Sequence, residues 1–337
     1  MAPIGMRPST APFPPPRGRW SERVRQVLLG LPRDARPPRP PDDPLGDDDL
    51  QLALYLCYEL HYRGLEDVPE EREWDPEVLS VRRELEEPFV RALRAAVPPP
   101  PAEDPREALR VIAGAADRHP VADHLEHDAT WDQALEFLIH RSAYQLKEAD
   151  PHSWVIPRLE GAAKAGVMDV QYDEYGSGDP RWIHAELFRT TMERSGLDAR
   201  YGAYVEDLPG VTLATVNVIS LFGLHRRWRG AALGHLAVFE MTSPLANRCY
   251  GTGFRRLGFD PEAIRFFDEH VEADAVHQIL AMDAAIALCR AEPALLCDVL
   301  FGAGALQLVE DRWSASLLDA WRSGTSSLRR GVAVPAR

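Results

Sequence analysis

The sequence is poor in cysteine, and its four cysteines, Cys57, Cys249, Cys289 and Cys297, form no Cys-x-x-Cys pair. So few thiols exclude a disulfide framework and are typical of a chain that folds in a reducing compartment. No stretch approaches the roughly 18 uninterrupted apolar residues of a membrane span, and the N-terminus lacks the apolar core of a secretory signal. We therefore expect a cytoplasmic protein with no membrane partner.

The sequence also has few positively charged residues: it contains 38 Lys and Arg against 52 Asp and Glu, and its formal net charge is -14. Nucleic acids and anionic membranes bind clustered Lys and Arg, so no nucleic-acid partner is expected. No Gly-x-Gly-x-x-Gly follows a strand and no phosphate-binding loop is present, which leaves nucleotide cofactors unsupported. Serine and cysteine hydrolases are unsupported for the same reason, because their local signatures are missing.

Proline is concentrated at one end, where 12 of the 29 prolines precede Leu45. Proline-rich runs favour extended or disordered chain, so we expect a partly disordered segment over 1–45 around one short helix. A second proline-rich run, at 98–105, separates an N-terminal helical portion (46–120) from the main domain (121–325). A C-terminal tail follows over 326–337.

Between these runs, apolar residues recur at helical spacing, and no alternating β-branched run is long enough to demand a sheet. Val211–Ile219 is the most strand-like stretch, but it is isolated. The sequence therefore predicts an all-α fold. The expected helices are Trp20–Leu31, Leu50–Tyr62, Pro76–Val97, Arg106–His119, Trp131–Ala149, Leu159–Val170, a helix from Pro180 through Met192, Leu213–Leu224, Ala231–Met241, Pro261–Arg290 and Pro293–Trp321.

The segment FFDEHVEADAVHQIL, residues 266–280, holds the strongest local pattern. His270, Asp274 and His277 are spaced i, i+4 and i+7, which places them within an arc of roughly 60° on one helix face. Two imidazoles and a carboxylate on a narrow stripe suit a transition metal such as iron. The alternative is a polar helix face with charge-paired histidines, and this segment alone leaves both interpretations open.

Further metal-binding residue types occur upstream. His184 lies early in an expected helix, and Glu174 precedes it by ten residues in the acidic bend QYDEYGSGDP. Glu148 lies near the end of the Trp131 helix, and Glu240 interrupts the apolar run HLAVFEM. A buried glutamate needs a compensating charge, and a metal ion would supply it.

Taken in order, these residues resemble the ligand series of the haem-oxygenase-like diiron oxidases and oxygenases, over roughly residues 130–295. The spacing is most similar to the N-oxygenating branch, which includes the enzyme that N-oxygenates a methylated arginine in nitrosourea biosynthesis. The resemblance implies a haem-oxygenase-like helical bundle with an N-terminal helical extension, two Fe(II) ions per chain and an O2-dependent reaction. It also implies seven iron ligands, namely Glu148, Glu174, His184, Glu240, His270, Asp274 and His277.

Some members of that family use another carboxylate about three residues before the first histidine. Arg181 stands there in this sequence, so that ligand role is absent. Charge arithmetic agrees with two ions, because four carboxylates balance two ferrous ions in a low-dielectric core. No Glu-x-x-His motif occurs, which disfavours the ferritin-like diiron fold.

Several functions are compatible with this set of predicted ligands. We expect N-oxygenation of a small amine or amino acid in secondary metabolism, with O2 and an external electron donor as further partners and a homodimer as one option. Oxidative decarboxylation and C–C cleavage are the alternatives within the family. The alternatives outside it are a non-catalytic helical metal-binding or regulatory protein and a haem-binding protein of the same fold, although haem would leave the carboxylates unexplained.

Three other clusters of histidine and acidic residues lie outside the predicted ligand series. The stretch HPVADHLEHD (119–128) is interpreted as a solvated helix face. Glu136 and His140 form an i, i+4 pair that either supports the metal site or lies on the surface. Glu59 and His61 lie beside aromatics, where a structural role is favoured.

Overall fold

A computed structural model describes residues 10–34, 36–100, 104–114 and 119–330. Over these ranges the chain is helical and has no strand, and its isolated β-bridges join Ala11 to Leu65 and Tyr175 to Ile183. The all-α prediction is confirmed. Residues 1–9, 35, 101–103, 115–118 and 331–337, which include parts of the predicted N-terminal segment, linker, third helix and tail, lie outside the described ranges.

The α-helices follow the apolar periodicity of the sequence. They are α1 (Arg19–Leu28), α2 (Asp48–Glu59), α3 (Pro76–Ala96), α4 (Pro105–Gly114), α5 (Pro120–His127), α6 (Trp131–Gln145), α7 (Asp150–Ser153), α8 (Gly161–Glu174), α9 (His184–Arg194), α10 (Gly210–Leu224), α11 (Arg229–Leu257), α12 (Pro261–Ala291) and α13 (Leu296–Arg322).

The two longest helices, α11 and α12, form a helical hairpin at the centre of the bundle. Gly258 ends α11 with a φ of 84°, a left-handed conformation that glycine adopts without steric cost. The Asp260 side chain then accepts a hydrogen bond from the Glu262 backbone N–H and caps α12, with Pro261 in its first turn. On the other sides, α12 packs against α8 and α9, and α11 packs against α13 and α5.

Among the described residues, one stretch, Pro293–Arg322, is long and apolar enough by length and composition to cross a membrane. Half of its apolar window is buried inside the protein, and α13, which it contains, packs against α10 and α11. Burial of this kind is what the core helix of a helical bundle requires, since such a helix is apolar on most of its faces.

The N-terminal helices pack on the same bundle, mainly through α2 and α10. In the described part of the proline-rich segment, Ala11 is fully buried, donates its N–H to the Gly64 carbonyl and accepts a hydrogen bond from the Glu66 N–H. Asn217 of α10 donates to both oxygens of Gln51 on α2. The predicted boundaries between segments stay predictions.

Two local predictions were wrong, and a third was confirmed. The predicted helix Leu213–Leu224 is confirmed as part of α10, which also contains the strand-like stretch Val211–Ile219, because most of its β-branched side chains are buried between helices. The predicted helix Ala231–Met241 continues as α11 through Pro244 to Leu257, since packing on both sides outweighs one missing hydrogen bond. Glu174 is the last residue of α8 rather than part of the bend after it.

Candidate metal centre

Helix α12 brings His270, Asp274 and His277 to the inside of the bundle. All three side chains are buried, although their neighbours Val276 and Ile279 are 55 % exposed. The polar stripe predicted from the i, i+4, i+7 spacing therefore faces the protein core and not the solvent. A charged stripe in that position needs partners of opposite charge.

The other predicted ligands reach the same region from different elements. Glu174 ends α8, His184 begins α9 and Glu240 lies in the middle of α11. Glu148 lies in the turn after α6, next to Ala149, whose φ of 73° reverses the chain into α7. All four side chains are buried, so the structure brings the seven predicted residues together.

They form two overlapping groups that could each hold a metal ion. Within each group, one ligand atom per residue lies within 4.8 Å of all the others. Glu174 belongs to both groups, so its carboxylate lies between them. The first group is Glu148, Glu174, His184 and His270, and the second is Glu174, Glu240, Asp274 and His277.

Distances within the groups fit donor atoms that surround a shared point. In the second group His277 Nδ1 lies 3.4 Å from Glu174 Oε1, 3.4 Å from Asp274 Oδ1 and 3.6 Å from Glu240 Oε2. In the first group His184 Nδ1 lies 2.9 Å from Glu174 Oε2, and His270 Nε2 lies 3.5 Å from Glu148 Oε1. Imidazole nitrogens and carboxylate oxygens are the donor set of non-haem iron.

Most of these donor atoms have no hydrogen-bond partner, although buried polar atoms normally have one. The unpartnered atoms are Glu148 Oε2, Glu174 Oε2, His184 Nδ1, His270 Nε2, both Asp274 carboxylate oxygens and His277 Nδ1. The His184–Glu174 contact is close but lacks hydrogen-bond geometry. Leaving so many buried polar atoms unsatisfied is costly, and metal coordination would satisfy them. The residues therefore fit a metal ion in each group.

Two of the histidines are held in a defined orientation by hydrogen bonds on the far side of the ring. His270 Nδ1 donates to the Phe266 carbonyl at 2.8 Å, so Nε2 is the nitrogen that faces Glu148. His277 Nε2 donates to Asp173 Oδ2 at 3.3 Å, which leaves Nδ1 toward the second group. Metal-binding histidines are commonly oriented in this way.

Burial and mutual charge shift the pKa values of the site strongly. Burial raises the pKa of Glu148, and burial together with Asp274 raises that of Glu240 to about 8. Burial opposes the charged form of Glu174, but His184, His277 and His270 outweigh it and hold its pKa well below the usual range. The facing carboxylates likewise overcome burial and raise the pKa of both His270 and His277. The excess of carboxylates thus favours bound positive charge at this site.

A cavity of about 110 Å³ adjoins the first group, with Glu148 in its wall. Tyr144 and Phe188 line it, as does the ion pair between Arg141 and Glu310. Both guanidinium N–H groups of that pair donate to the carboxylate, at 3.0 and 2.9 Å, and the guanidinium lies 3.9 Å above the Trp313 ring. The cavity wall therefore combines aromatic side chains with polar and charged ones.

Trp182 lies two residues before His184, but it is 38 % exposed and stacks under the Arg265 guanidinium. Neither metal-capable group of the described chain includes a residue of 119–128, where the His127 side chain is 61 % exposed.

The Glu136–His140 pair neither lies on the surface nor contacts the ligands. Glu136 Oε2 accepts hydrogen bonds from the Ser327 N–H and from Trp321 Nε1, and His140 contacts the Ser327 hydroxyl. The pair anchors the end of α13 and the segment that follows it to α6. Glu59 takes the structural role that was favoured, since it is fully buried against Lys147.

Sequence reasoning missed three residues close to the site: Asp173, Arg141 and Glu310. Asp173 is adjacent to Glu174, but only the fold brings it to His277. Arg141 precedes Glu148 by seven residues, a helical spacing that could have suggested a shared face. Nothing in the sequence connects Glu310 with Arg141, 169 residues away.

A protein family described as iron-containing redox enzyme matches residues 135–311, more than half of the chain and a range that includes all seven predicted ligands. No curated protein matches the chain.

Proposed function

The chain belongs to the family of iron-containing redox enzymes, and on that premise we propose that it is a non-haem diiron oxidase or oxygenase. It would use O2 to oxidise a small amine- or amino-acid-like substrate, with N-oxygenation as the favoured reaction. The secondary-metabolic setting rests on the resemblance of the ligand series to the N-oxygenating branch.

The observation that carries the proposal is the sharing of Glu174 between two buried groups of ligands. One iron cannot use seven ligands, whereas two ferrous ions bring four positive charges to the four carboxylates. Glu148, His184 and His270 would hold one ion, and Glu240, Asp274 and His277 the other, with Glu174 between them. When bound, the two ferrous ions would supply the two electrons that reduce O2 beside the cavity.

The cavity wall supports a small substrate. Its volume of about 110 Å³ is below the roughly 300–1,000 Å³ of sites for drug-sized ligands, which disfavours a porphyrin. Phe188 and Tyr144 line the space next to Glu148 and would limit the access of water to the reacting atoms. Burial beside Glu148 raises the pKa of Tyr144, so its hydroxyl keeps its proton and remains a hydrogen-bond donor.

The Arg141–Glu310 pair supports a charged head group on the substrate. Arg141 and the predicted metal ligand Glu148 both line the cavity. The ammonium of an amino acid would pair with Glu310 and its carboxylate with Arg141, which offers a planar pair of donors. The opposite end of the substrate would then lie near Glu148, the proposed metal ligand.

N-oxygenation places one oxygen atom of O2 on the substrate nitrogen and releases the other as water. Each turnover then consumes two protons and two electrons, which an external donor must return. Oxidative decarboxylation or C–C cleavage would use the same ligands with the substrate carboxylate turned toward Glu148. The mass of the product separates these reactions, because only N-oxygenation adds one oxygen atom and retains all carbon atoms.

The test is anaerobic loading with Fe(II), exposure to O2 and a screen of amines and amino acids by mass spectrometry. We expect two irons per chain, a transient visible absorption after oxygen is added, and a product heavier by one oxygen. Arg141→Ala should bind iron like the parent and lose turnover of amino acids more than that of simple amines. A colourless response with less than one iron per chain would support a non-catalytic metal-binding protein instead.

A further inference from the structure

Asp173 is a carboxylate that lies outside both groups of ligands and contacts one of their members. Its Oδ2 accepts the hydrogen bond from His277 Nε2 at 3.3 Å, and 48 % of the Asp173 side chain is exposed. His277 itself is fully buried. Asp173 therefore connects the second group to the protein surface.

This hydrogen bond determines which nitrogen of His277 faces the carboxylates. Neutral imidazole carries one proton, and the nitrogen without it is the one that can bind a metal. With the proton on Nε2 and directed to Asp173, the lone pair on Nδ1 faces Glu174, Asp274 and Glu240. A proton on Nδ1 would instead remove the only nitrogen donor of the second group.

Asp173 is itself held in place by the turn that follows α8. The Ser177 hydroxyl donates to Asp173 Oδ1 at 2.6 Å, and the Tyr172 hydroxyl donates to the Ser177 carbonyl at 2.8 Å. Gly176 has a φ of 75° and lies so close to the backbone of Ile183 that a Cβ atom would overlap it. The compact turn therefore fixes the Asp173 carboxylate, which does not rotate freely as an ordinary surface side chain would.

We propose that Asp173 is the positioning residue of the second metal: it fixes the His277 ring with Nδ1 toward Glu174, Asp274 and Glu240, and metal affinity there depends on it. This inference rests on the proposed two-metal centre and adds a residue to it. The corresponding support in the first group is the Phe266 backbone carbonyl behind His270, which no side-chain substitution removes.

The experiment is an anaerobic titration of the metal-free full chain with Co(II), followed by visible absorption, for the parent and three variants. Asp173→Ala should weaken binding of the second Co(II) about 10- to 100-fold and leave the first unchanged. Asp173→Asn keeps an acceptor oxygen for His277, so it should recover most of that loss. Asp169→Ala, an exposed carboxylate one turn earlier on α8, is the matched control and should behave like the parent.

A second measurement follows the tautomer directly. Long-range ¹H–¹⁵N NMR of the Zn(II)-loaded protein should show the His277 proton on Nε2 in the parent and in Asp173→Asn, and a loss of that single state in Asp173→Ala. Unchanged binding of the second Co(II) in Asp173→Ala would overturn the inference. So would an Asp173→Asn variant as weak as Asp173→Ala, because charge and not position would then matter.

The parent protein separates this inference from the proposed function. Two Co(II) per chain in the parent, with no effect of Asp173→Ala, would contradict the role of Asp173 and leave the diiron proposal standing. Fewer than two Co(II) in the parent would contradict both, since there would be no second metal for Asp173 to position.

Discussion

Glu174 is the residue that belongs to both candidate metal-binding groups. It offers Oε2 toward His184 and Oε1 toward His277, so one carboxylate serves two sets of ligands. Glu148 and Glu240 each belong to a single group. Substitutions at these three glutamates should therefore have unequal effects on metal content.

We expect Glu174→Ala to lose both metal ions and Glu148→Ala or Glu240→Ala to lose mainly one. The physical reason is that the first change removes a donor from each group, whereas the others leave one group complete. Metal analysis of the anaerobically loaded variants measures this. Equal loss in all three variants would contradict the shared position of Glu174.

His140 illustrates a titratable residue with a purely structural role. It is fully buried between the Thr212 and Ser327 hydroxyls, and burial lowers its pKa to about 3. Below the ordinary value of 6.5 the unfolded chain binds a proton at this residue and the folded chain does not, so stability falls as the pH falls from 6.5 toward 3.

His140→Gln should flatten the decline of the unfolding free energy between pH 6.5 and 4, because an amide does not titrate there. Urea denaturation at a series of pH values gives the slope. His127→Gln, at an exposed histidine, is the control and should keep the slope of the parent. An unchanged slope in His140→Gln would show that this histidine is not buried in its neutral form.

Whether the sequence predicts that a residue belongs to the candidate site depends on how far along the chain its contact residues lie. His270, Asp274 and His277 share one helix, so the helical period alone placed them on one face. The resemblance to a ligand series supplied Glu148, Glu174, His184 and Glu240. The roles of Asp173 and Glu310 depend on contacts across 104 and 169 residues, which no local pattern contains.

The backbones of α11 and α13 approach each other closely where the two helices cross. A Cβ atom on Gly302 would overlap the Ala231 carbonyl, and one on Gly234 would overlap the Val299 carbonyl. Small residues on both helices therefore let the two backbones touch. Because α11 also carries Glu240, the crossing helps to set the position of one predicted ligand.

Gly302→Ala should destabilise the protein by about 1–3 kcal/mol, the usual cost of overpacking, although alanine is the better helix former. Gly114→Ala is the matched control, since a Cβ there meets nothing within 4 Å. The control should be neutral or slightly stabilising. Urea unfolding measures both changes, and a neutral Gly302→Ala would mean that the helices do not cross this closely.

The predicted end of one helix, α11, was wrong for a reason that its bounds in the structure make clear. The sequence places a helix end near Met241 because Ser243 and Pro244 follow it. Pro244 does leave the Glu240 carbonyl without its usual N–H donor, yet α11 continues to Leu257. Packing against α12 and α13 keeps α11 helical beyond Pro244. The local sequence pattern carries no information about this packing.

At the scale of the whole molecule, a buried ion pair connects the N-terminal helices to the metal-centre region. Lys147 Nζ lies 2.8 Å from Glu59 Oε2, and both side chains are almost completely buried. The Tyr201 hydroxyl donates to the other Glu59 oxygen at 2.6 Å, and Lys147 lies 4.2 Å from the centre of the Tyr62 ring. Lys147 directly precedes the predicted ligand Glu148.

Glu59→Leu alone should lower the unfolding free energy by about 3–5 kcal/mol, because it leaves Lys147 buried without a counter-charge. The double variant Glu59→Leu with Lys147→Met should recover much of this loss, since it replaces the pair by apolar groups. Urea denaturation of the single and double variants gives the coupling. Strictly additive losses would show that the two residues do not form a buried pair.

The central claim is a centre of two irons that share Glu174, and anomalous X-ray scattering at the iron absorption edge tests it most directly. Crystals of the anaerobically Fe(II)-loaded protein should show two iron peaks about 3.5–4 Å apart on either side of the Glu174 carboxylate. His184 and His270 should contact one peak and His277 the other. A single peak, or iron bound elsewhere such as at residues 119–128, would contradict the account.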